Sequence, residues 1–151
     1  MKREIYMGKI LRELVDGGYY HIIQRGNNKL AVFHIDQDYQ TYLGMLKHYF
    51  EKFNSTVKYY CLMPNHIHLL VQVGLARFFP KLMQAIALSY AYYYKRRYGY
   101  TGALWQGRYK SYPITTDEYL IQCTRYIQEN PVRAQIVQYA SDYLYSGEPG
   151  F

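Results

Sequence analysis

The sequence predicts an α+β fold, and three observations carry that prediction. Stretches of period-two alternation and stretches of helical spacing follow one another in a β-α-β-β-α-β order. Turn and cap residues stand at the boundaries where that order needs them. Half of the residues are hydrophobic, enough for a packed core, and a length of 151 residues is expected to form a single domain spanning 1–151.

Taken in order, Tyr19 to Arg25 reads as a first strand, ended by the turn-forming Gly26-Asn27-Asn28. Asp36 reads as the N-cap of a helix reaching about Phe53. Within it Tyr39, Tyr42, Leu43, Leu46, Tyr49, Phe50 and Phe53 keep the i, i+3, i+4, i+7 spacing of one buried face. Thr56 to Met63 and His66 to Val73 read as two strands of a hairpin. Pro64 presets the first corner of their turn and Asn65 suits the second. A long helix is expected from Phe79 to Tyr98, stopped by Gly99. A loop follows from Tyr100 to Gly107, then a short strand from Arg108 to Ile114. Thr115 with Glu118 three residues on has the pattern of a capping box, for a helix running to Asn130. Pro131 disfavours helical geometry in the residue before it and is expected to open a last short helix. The whole order matches a ferredoxin-like (RRM-like) antiparallel sheet with helices on one face, plus C-terminal helices. Such a fold hosts many functions, so function has to come from side chains.

The net charge is +7, and its placement says more than its size. Between Ala76 and Thr116 stand Arg77, Lys81, Lys95, Arg96, Arg97, Arg108 and Lys110, with no Asp or Glu among them. The rest of the chain balances eleven acidic groups against its eleven other basic ones. The excess therefore falls in one segment, which points to a face for a polyanion. The chain also has 21 tyrosines, implying either a polar-tipped core or a surface that stacks on rings. Cys61 and Cys123 make neither a disulfide framework nor a zinc ribbon and fit a reducing compartment. The N-terminus is charged without an apolar signal segment, and no run approaches the ~18 apolar residues of a membrane helix. A soluble, cytoplasmic protein without a membrane partner is expected, nucleoid-associated when bound to DNA.

The sharpest local feature is His66-Ile67-His68-Leu69-Leu70-Val71-Gln72-Val73. On a strand, Ile67, Leu69, Val71 and Val73 share one uniformly apolar face, and His66, His68, Leu70 and Gln72 share the other. Two imidazoles two residues apart on one face can converge on a cation. They do not complete a structural zinc site, which needs four ligands. Two His plus one oxygen donor would instead suit Mg²⁺ or Mn²⁺ bridging to a phosphate oxygen.

Pro64-Asn65-His66-Ile67-His68-Leu69-Leu70 resembles the HUH motif (His, hydrophobic, His) of insertion-sequence single-tyrosine transposases. Two further blocks, Leu104-Trp105-Gln106-Gly107-Arg108-Tyr109-Lys110-Ser111 and Tyr126-Ile127-Gln128-Glu129-Asn130-Pro131-Val132-Arg133-Ala134, look like those of the REP-associated tyrosine transposases. Tyr20-His21 and Arg25-Gly26-Asn27-Asn28 also fit, and the resemblance covers about residues 19 to 145. It implies a ferredoxin-like fold and metal-dependent cleavage of single-stranded or hairpin DNA, leaving a 5′-phosphotyrosyl link and a free 3′-OH. That activity would serve DNA transposition or mobilisation of REP-type repeats. Carried over, Tyr126 is the nucleophile, and His66, His68 and Asn130 are the ligands of Mg²⁺ or Mn²⁺. Asn130, where the insertion-sequence branch usually has Gln, favours the REP-associated branch. Tyr126 and Asn130 are i and i+4, one above the other on a helix. The alternative for that pair is a core tyrosine and an asparagine capping a helix that begins at Pro131.

Arg77, Lys95, Arg96, Arg97, Arg108 and Lys110 are candidates for DNA backbone contacts, which give affinity but little sequence information. Trp105 is read either as a platform for unpaired bases or as core, with Gln106 beside it, and Arg25 and Asn27 as readers of a short guide sequence. The expected partner is single-stranded DNA with hairpins, bound by a monomer or a homodimer. Two other readings stay open: a non-catalytic module that binds single-stranded nucleic acid through an RRM-like sheet, and a decayed transposase that binds hairpins without cutting.

Overall fold

A computed structural model describes residues 14–151; the charged opening segment, 1–13, lies outside them. The elements are β1 (Tyr19–Arg25), α1 (Asp36–Lys52), β2 (Thr56–Met63), β3 (His66–Gln72), α2 (Phe79–Tyr98), β4 (Lys110–Ile114), α3 (Asp117–Arg133) and β5 (Ser146–Gly147). The sheet order is β4-β1-β3-β2-β5, antiparallel throughout. The fold is therefore the predicted ferredoxin-like α+β arrangement. A further short strand, β5, pairs with the outer edge of β2, which would otherwise offer open backbone groups.

Alternation of side chains divides the core in two. One face of the sheet presents Tyr20, Ile22, Val57, Leu62, Ile67, Leu69, Val71 and Val73 to α1 and α2, in a continuous apolar cluster. The other presents Cys61, Met63, Leu70 and Ile114 to Cys123 and Ile127 of α3. The C-terminal helix thus covers the histidine face of the sheet.

The segment between β1 and α1 is tucked inward. Gly26 N–H donates to Asn65 O, and Val32 and Phe33 N–H both donate to Pro64 O, which seats the buried Val32 and Phe33 beside the β2–β3 turn. A Cβ at Gly26 would collide with the Leu30 carbonyl, so this close return of the chain requires glycine.

Asp38 is a buried carboxylate that joins this segment to both helices. It accepts from the backbone N–H of His34 and Ile35 and from the hydroxyls of Tyr93 and Tyr98, and Arg97 lies 3.7 Å away. Burial pushes its carboxyl up, but the donors from Tyr98, Tyr93, His34 and Ile35 outweigh that and hold it below the usual value. The expected N-cap role of Asp36 is corrected here: Ile35 holds the cap position, and Asp38, three residues on, captures its free N–H.

Two boundaries at α3 also differ from the sequence expectation. Thr116, not Thr115, is the N-cap, its Oγ1 accepting from Tyr119 N–H. Pro131 does not begin a new helix but lies in the last turn of α3, buried against the sheet side. That excludes the reading of Asn130 as the cap of a helix starting at Pro131. The strand expected from Arg108 begins at Lys110.

Asp38→Ala would leave two tyrosine hydroxyls, two backbone N–H groups and Arg97 without their acceptor. A loss of about 2–4 kcal/mol is expected in urea unfolding, several times that of Tyr98→Phe, which removes one donor. Equal losses for the two variants would show that Asp38 is not the centre of the network.

Candidate functional site

The site is built on three adjacent strands. His66 stands opposite Arg25 of β1 and Met63 of β2, and His68 stands opposite Ile23 and Cys61. Continuing outward from Ile23, the next residue across is Lys110 of β4. One pair along, His21 lies between Leu70 of β3 and Tyr112 of β4. Arg25, His66, His68, His21, Lys110 and Tyr112 consequently share one face. His21 and His68 are diagonal neighbours, within reach of one another across the strands. His21 Nε2 and His68 Nδ1 are 2.9 Å apart, and their rings stack at 5.1 Å between centroids.

The two-residue turn at Pro64-Asn65 starts β3 with its first histidine at the rim. Asn65 Oδ1 lies 2.7 Å from His66 Nδ1. An amide oxygen only accepts, so His66 carries its proton on Nδ1 and keeps a lone pair on Nε2. Facing that lone pair is the Asn130 amide, its Nδ2 3.4 Å from His66 Nε2.

Asn130 and Tyr126 come from α3, whose sheet-side stripe is Cys123, Ile127 and Pro131. Each of the pair precedes a residue of that stripe by one position, which puts both on the flank of the helix rather than beneath it. The Tyr126 ring lies edge-on to His68 at 6.2 Å and to His21 at 6.1 Å between centroids. The Arg133 guanidinium sits 4.0 Å from the Tyr126 ring centroid and donates to the Tyr126 carbonyl at 2.8 Å. Glu129 Oε2 is 3.9 Å from the same guanidinium.

All three imidazoles are held neutral. Burial brings His21 down to about 3. Burial and the Arg25 charge bring His66 down to about 4. His68 is pushed well below the ordinary histidine range by burial first, then by His21, His66, Arg25 and Arg133. Neutral imidazoles keep the lone pairs that a cation needs.

The donors make an open site rather than a structural zinc centre, which takes four protein ligands. Among the described residues no group of three or more His, Cys, Asp or Glu could hold a metal ion. A cation at His66 and His68 therefore needs a different third donor. The Asn130 amide touches His66 already, and turning it about its last bond would direct oxygen where nitrogen now points. Two nitrogens and one neutral oxygen leave positions for water and phosphate, as Mg²⁺ and Mn²⁺ require.

The remaining sequence candidates fall into separate groups. Arg25 and Lys110 are exposed on the histidine face. Asn27, Gln106 and Arg108 gather at the adjoining end, where Asn27 N–H donates to Leu104 O and Gln106 N–H donates to Arg25 O. Lys95, Arg96 and Arg97 are not brought to the site. They end α2 on the opposite side of the sheet, Arg96 against the Tyr92 ring and Arg97 beside Asp38. Arg77 follows the far end of β3, roughly 20 Å from His66 at ~3.3 Å per residue. Trp105 is core: it is 9% exposed, donates its indole N–H to Ala87 O, and packs against Tyr42 and Tyr90. Its faces are spent on these neighbours, which corrects the expectation of a base-stacking platform.

Sequence reasoning gave no site role to His21, Asn65 or Arg133, although each falls in a stretch quoted for the resemblance. His21 shares its strand face with Arg25, a signal the alternation of β1 already held. Arg133, seven residues beyond Tyr126, lies two turns on and nearly beneath the same helical position.

The family model described as IS200-like transposase matches residues 14–130. Among solved structures, the chain is similar to a REP-associated tyrosine transposase bound to a REP hairpin. The TM-score is 0.76 at 18% identity, with 93% of this chain and 82% of that one covered. It is also similar to a Deinococcus radiodurans protein assigned as a transposase, with a TM-score of 0.55 at 19% identity. That match covers 80% of this chain and 96% of the other. No curated protein gives a significant match. No described helix is long and apolar enough to cross a membrane.

Neutral burial of these histidines makes stability depend on pH. Unfolded histidines take protons near 6.5, whereas His66 and His21 resist to about 4 and about 3. Stability is then complete above 6.5 and lost as pH falls from 6.5 towards 4, at ~1.4 kcal/mol per pH unit for each such imidazole. Urea unfolding at pH 7.5, 5.5 and 4.5 measures the slope, and His21→Gln should reduce it by about one proton's worth. A flat profile would mean that the imidazoles are not buried as neutral bases.

Proposed function

Given that the chain belongs to the IS200-like transposase family, we propose that it cleaves and rejoins single-stranded or hairpin DNA through Tyr126. The observation that carries this reading is convergence: Tyr126 and Asn130 of α3 meet His66 and His68 of β3, some sixty residues away in the chain. Packing alone does not ask for a tyrosine and an amide on the flank of a helix over two neutral histidines.

In this reading the Tyr126 oxygen attacks the scissile phosphorus and forms a phosphotyrosyl bond. The P–O3′ bond breaks, and its oxygen leaves as the 3′-OH after taking a proton. A Mg²⁺ or Mn²⁺ held by His66, His68 and Asn130 would polarise a non-bridging phosphate oxygen. The chain's own residues orient the attacker: Arg133 grips the Tyr126 ring and carbonyl, and His21 and His68 border the ring on its sheet side. The new bond keeps the energy of the old one. A 3′-OH can therefore reverse the step without ATP, and the protein is a strand transferase rather than a hydrolase.

Arg25 and Lys110 flank the histidines on the same face, and Asn27, Gln106 and Arg108 extend that edge. We assign DNA backbone contacts to these residues. The similar REP-associated transposase bound to a REP hairpin supports a hairpin partner. We assign no contact at the cleavage site to Lys95, Arg96 and Arg97, which end α2 across the sheet from the histidines, or to Arg77, which follows the far end of β3.

The decisive experiment incubates the protein with labelled hairpin-bearing single-stranded DNA and Mn²⁺ or EDTA, then resolves covalent adducts on a denaturing gel. A Mn²⁺-dependent, protease-sensitive adduct is expected, lost in Tyr126→Phe while DNA affinity is retained. An adduct that survives in Tyr126→Phe would remove Tyr126 from the chemistry, and binding without any adduct would favour a non-cleaving hairpin binder. Salt titrations test the groove: Arg25→Ala with Lys110→Ala should flatten the log–log salt slope by about 0.7 for every phosphate no longer neutralised. Arg96→Ala should leave it unchanged, and the reverse pattern would relocate the DNA.

A further inference from the structure

We propose that His21 is a positioning residue for the site, holding His68 in the tautomer that carries its proton on Nδ1 and leaves Nε2 a bare lone pair. This deepens the reading of His66, His68 and Asn130 as cation ligands and rests on it.

Burial sets the terms of the contact. His21 is 0% exposed and His68 2% exposed, so water is not available to complete the contact between them. Their nitrogens stand 2.9 Å apart, Nε2 of His21 against Nδ1 of His68. Two lone pairs or two N–H groups at that distance would repel, so one proton lies between them. Either His68 Nδ1–H donates, leaving its Nε2 as a lone pair and the proton of His21 on its own Nδ1, or His21 Nε2–H donates, leaving a proton on His68 Nε2. Only the first arrangement lets His68 bind a cation.

His66 repeats the arrangement. Its Nδ1 faces Asn65 Oδ1 at 2.7 Å, which fixes the same tautomer and leaves Nε2 towards Asn130. The two motif histidines are thus each held from behind through Nδ1, one by a turn amide and one by an imidazole of the neighbouring strand. A ligating histidine ordinarily has such a partner on its second nitrogen, and losing the partner weakens metal binding. His21 also borders Tyr126, edge-on at 6.1 Å, and Tyr112 at 6.2 Å. One ring therefore sets the angle of a ligand and backs the ring of the nucleophile.

Two measurements test this. Long-range ¹H–¹⁵N correlation of ¹⁵N-histidine-labelled, metal-free protein at pH 7.5 should show His68 protonated on Nδ1 and bare on Nε2. The opposite tautomer overturns the proposal whatever the metal does, and this measurement needs no variant of a buried residue. Mn²⁺ titration followed by electron paramagnetic resonance then compares wild type, His66→Ala, His21→Gln and His21→Leu, each checked for its melting transition. His66→Ala should lose the site, and His21→Leu should bind about 10–100-fold more weakly. His21→Gln, whose side-chain oxygen accepts from an N–H, should bind nearly as wild type. Wild-type affinity in a folded His21→Leu, with loss in His66→Ala, overturns the role of His21 and leaves the cation site standing. A wild-type protein with no Mn²⁺ affinity overturns both.

Discussion

The antiparallel register of β1 on β3 is the constraint on which the site rests, because side chains in a sheet repeat every two residues. A slip of one position would turn Arg25 away from His66 and His21 away from His68, and send Tyr20 and Ile22 out of the main core. Nothing leaves the two strands free to slide. β1 is bonded on both sides, by β4 and β3, and β3 by β1 and β2. Both ends of the pair are also tied: Gly26 N–H donates to Asn65 O at one, and Val73 N–H donates to Gly18 O at the other. The apolar core beneath α1 and α2 therefore determines the geometry of the polar group on the reverse face.

The roof over that reverse face is α3, and its amphipathic pattern solves two problems. Cys123 and Ile127 bury against Cys61, Met63, Leu70 and Ile114 and anchor the helix, and Pro131 is buried one turn on. Tyr126 and Asn130, one position earlier in each turn, hang over the edge and reach the histidines. Shielding by the same helix takes water from His21 and His68, which then stay uncharged. The cationic groups Arg25, Lys110 and Arg133 remain at the rim, where solvent supports their charge. A set of neutral imidazoles thus lies inside a positive rim.

The abundance of tyrosine has a structural answer on the other side of the sheet. Tyr90 and Tyr94 direct their hydroxyls to Val32 and Ala31 carbonyls and Tyr93 and Tyr98 direct theirs to Asp38, while on the histidine side Tyr143 does the same to Leu62 O. Each ring adds apolar area to the core while its tip satisfies a backbone or carboxylate group. This is the polar-tipped core that composition allowed, and Trp105 belongs to it rather than to a binding surface.

The sequence by itself determined β1 to β4, the three helices and the pairing of like with like along each of them, but not β5. Period-two alternation identified the strands, helical spacing identified α1, and Gly99 marked the end of α2, since these patterns are properties of adjacent residues. The His66–His68 face and the Tyr126–Asn130 helix face were legible for the same reason. Tertiary structure alone decided what meets across elements: His21 behind His68, Asn130 at His66, and Arg97 beside Asp38 instead of on the histidine face. It also decided that Pro131 completes α3, because burial of that helix against the sheet overrides the local tendency of proline to end it. Local pattern reports which face a side chain takes, whereas register and packing set its partners, and those depend on residues far away in the chain.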